Sequence, residues 1–488
     1  MLLPRPGRGD TTGLGKCSPT RFMMESLHLF RRRYAGHVQA TVRLSIPVII
    51  GQLGHVLMGF IDTLMIGDLG YVHLSAASLA NGAFLLITVL GIGITFAISP
   101  LVAEADAGGN PQRAGHYLQQ GTWLGLALGM VLAALVLAAG ASLPYLDQPP
   151  QDVALAQGYT YILAWSALPM MLFLVAKQFA DGLALTVPAM VVTLIGLACN
   201  TAINWLLIYG HAGFPRLELN GAGYGTLISR LVMMGLMMGY VLRARRFQRY
   251  HLLRGWLRLR PPFIRKILRI GLPSGLQYLF EVGAFIGAVV IIGWLENPSA
   301  SRAAHQIAIQ LASITYMVVT GISAGATIRV GQSLGRQQYK ELRRAGFTGI
   351  YVALAFMLLT AVGFLMGRNY LPQLFVETKA VVELASHLLV FAAAFQLFDG
   401  VQAVGVGILR GMQDVRIPTF ITLVVYWGIS LPVGYLLSGP MGLGVEGIWY
   451  GFVLGLGLAA GLLTRRFWRL SGQLQASSSE QPVALPHL

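Results

Sequence analysis

Residues 272–295 read LPSGLQYLFEVGAFIGAVVIIGWL, with one formal charge, Glu281, near the middle. Residues 384–409 read LASHLLVFAAAFQLFDGVQAVGVGIL, again with a single formal charge near the centre, Asp399. Each run exceeds the roughly 20 residues that an α-helix needs to cross a hydrocarbon core of about 30 Å. A carboxylate at mid-depth costs about 2.5–3.5 kcal/mol even on lenient insertion scales, and acids kept there usually face a wet cavity or an ion path. Both stretches therefore read as membrane spans whose acids point inward, and they raise an expectation of transport.

The rest of the chain fits that reading. Of 488 residues, 55% are hydrophobic and only 11% charged, where a soluble domain carries about 25%. The net charge of +16 sits in short loops and forms no basic stripe interleaved with aromatics, so no nucleic-acid partner is expected. Cys17 and Cys199 are too far apart in sequence to suggest a disulfide framework or metal cluster.

Working outward, apolar runs recur near 42–66, 75–101, 115–143, 154–178, 187–210, 221–242, 267–295, 303–328, 345–367, 384–409, 417–438 and 442–464, twelve candidate helices. Lys and Arg number 19 in the loops after even-numbered spans and 4 in the loops after odd-numbered spans. The positive-inside rule then places both termini in the cytoplasm. Residues 1–37 and 467–488 read as disordered cytoplasmic tails, with Met23 and Met24 as alternative starts. Neither a secretory signal nor a catalytic domain is expected.

The chain also repeats. Arg43-Leu-Ser-Ile-Pro47 returns as Arg269-Ile-Gly-Leu-Pro273, Ala76-Ala77 as Ala303-Ala304, and the loop at Gly108 as that at Gly335, at an offset of 226–227. Six spans per copy bring both copies in from the same side, which implies a pseudo-two-fold axis along the membrane normal. The expected fold is an all-α membrane protein of twelve transmembrane helices in two six-helix lobes. The N-lobe covers 38–242, a basic linker 243–266, and the C-lobe 267–466. Two lobes around a cleft suit an alternating-access carrier.

Glu281 has Gln277 one turn before it, and Asp399 is flanked by Phe395, Gln396 and Gln402. Desolvation favours the protonated form of a carboxylic acid, so such a pair suits exchange of H⁺, or of Na⁺ held by ionised oxygens, against a cation. The competing reading, a tie between helices, is worth about 0.6 kcal/mol. In the N-lobe, Asp62 is the one formal charge between Leu44 and Gly67; Asn200 and Asn204 form an i,i+4 pair, and Thr226 opens the sixth span. These compose a second polar site, for protons or substrate. Arg230 reads either as a counter-ion for Asp62 or as a snorkelling side chain. Isolated His55, His305 and His387 read as structural. G-x-x-x-x-G-K-[ST], G-x-S-x-G and H-E-x-x-H are absent, so neither P-loop ATP drive nor hydrolase chemistry is expected.

The segments RLSIPVIIGQLGHVLMGFIDTLMIGDLG (43–70) and FQLFDGVQAVGVGILRGMQDVRIP (395–418) resemble the multidrug and toxic compound extrusion (MATE) transporters. GLPSGLQYLFEVGAF (271–285) is similar to the NorM branch. The most specific motif is Leu409-Arg410-Gly411 followed by Asp414 and Pro418, and the likeness spans about 38–466. The resemblance implies a multi-pass protein of the inner (plasma) membrane that expels lipophilic, mostly cationic drugs or toxins against Na⁺ or H⁺. It is expected to act as a monomer, with small molecules and the lipid bilayer as partners and no cofactor beyond the coupling ion. The coupling-cation acids, and any Na⁺ ligands, fall on Glu281 and Asp399. The N-lobe polar site falls on Asp62, Asn200, Asn204 and Thr226. Gln277, Phe395, Gln306, Gln396 and Gln402 are expected as supporting polar or drug-cavity residues. NorM members can carry a tyrosine where this chain has Phe395, so one hydroxyl ligand is lost. A flippase or exporter of a lipid-linked oligosaccharide or other metabolite is the alternative; it calls for a basic cleft.

Overall fold

The computed structural model describes residues 19–145, 149–295 and 297–480. Among these, twelve helical segments are long and apolar enough to span a membrane. The N-lobe holds α1 (Pro19–Gly67), α2 (Tyr71–Thr95), α3 (Ile98–Ala107), α4 (Pro111–Ser142), α5 (Pro150–Gly182), α6 (Val187–Tyr209) and α7 (Glu218–Arg243). The C-lobe holds α8 (Pro261–Ile292), α9 (Pro298–Gly335), α10 (Tyr339–Gly367), α11 (Lys379–Gly411), α12 (Arg416–Leu423), α13 (Leu431–Ser438) and α14 (Gly444–Glu480). Helices α2 and α3 make one span with a break at Phe96–Ala97, and a π-helical turn, Val424–Ser430, joins α12 to α13.

Local chemistry sets most of these boundaries. Proline stands in the first turn of α4, α5, α6, α8 and α9, where its missing N–H would be unpaired anyway. Asn110 caps α4 by accepting from Arg113 N at 3.0 Å. Gly210, with φ of 75°, ends α6 in a left-handed turn.

The helices run longer than hydropathy suggests. α1 begins at Pro19, so the expected tail to residue 37 is helical from there on. No proline or glycine interrupts residues 20–35, and a helix that is already formed adds residues cheaply. α14 likewise continues past 466 to Glu480, through Gly472. Residues 1–18 and 481–488 lie outside the described residues. Pro47 and Pro273, which the repeat places at matching points near the start of a span, sit well inside α1 and α8.

The lobes meet along one half of the bundle only. α1 packs on α9, α2 on α8, and α3 on α9. The residues in contact cluster at 41–49, 90–108, 271–275 and 321–335, toward the end that carries the interlobe linker. Glycines permit the approach. A Cβ on Gly275 would lie 2.6 Å from Leu90 O, one on Gly271 would lie 2.6 Å from Ile94 O, and one on Gly93 would overlap the Gly275 backbone. Polar groups stitch the same seam. Glu104 Oε2 accepts from Gln413 Nε2 at 2.8 Å and from Lys266 Nζ at 3.4 Å. Arg329 Nη1 donates to His37 O and Thr41 Oγ1, both at 2.7 Å.

The linker is docked on the N-lobe. Gln119 Nε2 donates to Leu252 O (2.7 Å) and Trp123 Nε1 to Trp256 O (2.9 Å). Gln120 donates to Arg258 O (2.9 Å) and accepts from Arg260 N (2.8 Å). Tyr250 donates to Asp106 Oδ1 at 2.8 Å; burial and then that hydrogen bond push its hydroxyl up to about 12, so it stays protonated at neutral pH. Gln120→Leu should remove two part-buried hydrogen bonds to the linker backbone and weaken this docking by about 0.5–1.5 kcal/mol for each. The expected readout is faster trypsin cleavage at the linker arginines; an unchanged rate would show that the docking does not depend on Gln120.

Candidate functional site

A cavity of about 420 Å³ lies between the lobes. α1 contributes Gln52 and His55, α5 Phe173, Lys177 and Asp181, and α7 Arg230; Phe96, at the break after α2, lies on the same side, and the C-lobe adds Gln277, Tyr278, Glu281, Tyr316, Gln402 and Arg410. The lining is apolar and aromatic with a few charges from both halves of the chain, a usual composition for a small-molecule site.

Glu281 opens onto this cavity although it is only 8% exposed. Tyr316 of α9 donates to its Oε1 at 2.9 Å. Asp399 of α11 is buried just behind it, and the two carboxylates interact electrostatically. Both also act on Tyr316 and on Tyr426. Tyr426 sits in the π-helical turn, and its buried hydroxyl has no hydrogen-bond partner among the described residues. Such turns often re-aim one side chain at a functional site. The result is a cluster of two acids, two phenols and Gln402.

The expected supporting residues divide. Gln277 and Gln402 line the cavity, and Gln277 Nε2 donates to Thr422 Oγ1 at 3.2 Å. Gln396 instead accepts from Thr315 and Thr360, each at 3.1 Å, between helices. Helical geometry requires this division, because residues six apart point about 120° away from each other. Phe395 is packed in an aromatic cluster with Phe285, Trp449 and Phe452. Gln306 is on an exposed face of α9. Gln306, Phe395 and Gln396 therefore lie outside the cavity.

The N-lobe residues converge on a separate pocket of polarity. Asn204 Nδ2 donates to Asp62 Oδ1 at 2.5 Å, and Asn200 and Thr226 face the same carboxylate. Arg230 does not snorkel. It donates from Nη1 to Ser166 Oγ at 2.6 Å, lies 4.8 Å over the Phe84 ring, and interacts with Asp62. It makes no ion pair with Asp62 within 4.0 Å among the described residues, and it also borders the interlobe cavity. His55 lines that cavity too, edge-on to Phe173.

Among the cavity residues that escaped sequence reading, four bear charge or bond to a charged group: Lys177, Arg410, Asp181 and Tyr316. Lys177 and Arg410 count as loop charges by hydropathy, yet both lie within helices (α5, α11) and line the cavity. Asp181 pairs with Lys177 at 2.8 Å, a spacing of four residues that was visible in the sequence. Tyr316 carries no signal beyond one hydroxyl in an apolar run.

Comparison with known proteins matches this architecture. A family model described as MatE matches residues 47–206 and again 273–436, one copy per lobe and in the register of the Arg43–Pro47 and Arg269–Pro273 repeat. The multidrug resistance protein NorM of Photobacterium profundum is 32% identical over 468 residues, covering 94% of this chain and 99% of its own. A probable multidrug resistance protein NorM of Rhizobium meliloti is 33% identical, covering 90% and 95%. Among solved structures, the outward-facing conformation of a multidrug resistance MATE family transporter superposes with a TM-score of 0.82 at 22% identity, covering 90% of this chain and 97% of that one. The eukaryotic MATE transporter AtDTX14 gives 0.80 at 18%, covering 91% and 99%. These two structures share the fold. With the family model matched over both lobes and relatives above 30% identity along almost the whole chain, this multi-pass membrane protein belongs to the MATE transporters, in the NorM-like branch, and is not an enzyme.

Proposed function

We propose that this chain is a multidrug efflux antiporter that exchanges Na⁺ or H⁺ for lipophilic compounds bound in the interlobe cavity. The observation that carries the reading is two electrostatically coupled acids at the cavity wall, Glu281 lining the cavity and Asp399 buried outside its lining. Carboxylate and phenol oxygens are hard donors that suit Na⁺ as well as a proton. Coupling follows from competition. With the acids ionised, the cavity wall attracts a cationic substrate; taking up Na⁺ or H⁺ cancels that charge and releases it. The N-lobe group of Asp62, Asn200, Asn204 and Thr226 serves as a second protonation or substrate-positioning site, balanced by Arg230.

With the basic linker on the cytoplasmic side of the inner (plasma) membrane, both termini are cytoplasmic and the sealed half faces inward, which makes this the outward-facing state. The protein works as a monomer, since the cavity is complete within one chain. For a substrate without net charge, inward movement of one coupling cation supplies about 2.3 kcal/mol per 100 mV, enough for accumulation of about 50-fold.

The alternative, a flippase for a lipid-linked oligosaccharide, gains support from three basic cavity residues, Lys177, Arg230 and Arg410. The same cavity holds Glu281 and Asp181, however, and Lys177 is occupied by Asp181. Dye efflux in everted vesicles, with Na⁺ and pH gradients imposed separately, tests the proposal. At least one gradient should drive accumulation of dye; indifference to both would overturn cation coupling.

A further inference from the structure

Arg410 is held differently from the other cavity cations. Lys177 is paired with Asp181 at 2.8 Å, and Arg230 donates to Ser166 at 2.6 Å. The Arg410 side chain forms neither an ion pair nor a hydrogen bond among the described residues, and its Nε is buried without a partner. Its guanidinium lies 5.0 Å over the ring of Phe96, which belongs to the opposite lobe, and that ring meets Tyr278 at 5.9 Å. Glu281 interacts with Arg410 electrostatically but makes no ion pair within 4.0 Å. A guanidinium offers five N–H donors in a rigid fork matched to a carboxylate. Arg410 is half-buried: Nε is closed off without a partner, while the rest of the fork borders the cavity, where a bound group can take its donors.

The two lobes also present opposite charges at comparable places. Arg410 immediately precedes Gly411, the last residue of α11, as Asp181 immediately precedes Gly182, the last residue of α5, and both line the cavity. The cavity therefore carries both signs of charge on each side, not one sign throughout.

We propose that Arg410 is a specificity-determining residue of the cavity, anchoring a carboxylate on the transported molecule through its guanidinium fork. The carboxylate receives the guanidinium fork, Phe96 and Tyr278 cover an aromatic body, and any cationic end lies toward Glu281. This subsite rests on the export reading above. Esterifying the ligand removes the charge and one acceptor oxygen, so acid and ester should separate when Arg410 is changed.

A matched pair of dyes tests this: rhodamine 110, with a free carboxylate, and its methyl ester, rhodamine 123. Initial efflux rates in everted vesicles are compared for the parent protein, Arg410→Gln and Arg410→Lys. Arg410→Gln is expected to raise KM for the acid relative to the ester by about 10- to 100-fold, the range for losing a charge-assisted pair. Arg410→Lys should recover part of that ratio, because it keeps the charge and loses the fork. An unchanged ratio in Arg410→Gln overturns the subsite, as does a parent protein that exports the ester and ignores the acid. If the parent moves neither dye, the export reading fails, and fluorescence anisotropy of rhodamine 110 with purified protein decides the subsite alone. Binding that weakens in Arg410→Gln supports it; no binding, or binding that does not weaken in Arg410→Gln, overturns it.

Discussion

Glu281→Gln and Asp399→Asn should each reduce dye efflux to the level of vesicles lacking the protein, with the protein still folded and inserted. Each amide keeps the size of the acid, and an amide oxygen at position 281 would still accept from Tyr316, as Glu281 Oε1 does at 2.9 Å. What disappears is the ability to change charge, which the proposed exchange requires. Because the two acids share Tyr316 and Tyr426, the double variant should be no worse than either single one, as for groups that act as a unit. Efflux and membrane abundance measured side by side decide the matter. Parent-level efflux from both variants would reduce the acids to helix ties and remove the basis of the antiport proposal.

The second large effect concerns the seam. Gly275→Leu introduces a side chain where a Cβ alone would stand 2.6 Å from Leu90 O. The obstacle is backbone, which cannot swing aside as a side chain would. Overpacking of this kind costs about 1–3 kcal/mol, and it bears only on the arrangement in which α2 and α8 touch. The equilibrium should shift away from the sealed state by about 5- to 150-fold. A cysteine placed in the cavity at Ala324, in a chain stripped of Cys17 and Cys199, reports this shift. In everted vesicles its labelling by a membrane-impermeant thiol reagent should accelerate in Gly275→Leu. Gly363→Leu, at a glycine with no neighbouring atom within 4 Å of its added Cβ, provides the control. Equal labelling rates in the two variants would show that the glycine contact does not hold the seam.

Much of the site was legible in one dimension because a lone acid in an apolar run is conspicuous. Glu281, Asp399 and Asp62 stood out by the cost of burying them, and Asn200 and Asn204 by their spacing on one helical face. Gln396 and Gln402 could not be told apart in that way. Each is three residues from Asp399, and only the neighbours of α11 decide which one faces the cavity and which one meets Thr315 and Thr360. Lys177 and Arg410 were hidden for a different reason: each lies at the edge of an apolar run, where its charge counts with the loop, whereas a helix ends where its backbone hydrogen bonds run out. Tyr426 was hidden most deeply, since the π-helical turn that presents it leaves no pattern in side-chain hydrophobicity.

Taken alone, the sequence determined that the chain lives in a membrane, crosses it in twelve helices and is built twice over, because transfer energies and repeat spacing are properties of residues in order. It also determined which acids would be costly enough to need a purpose. Tertiary structure alone decided where the lobes touch, that the linker is bound to one of them, and that Glu281, Tyr316 and Arg410 share a cavity. Those facts depend on which face of each helix meets its neighbour, and a face acquires meaning only when the neighbour is in place.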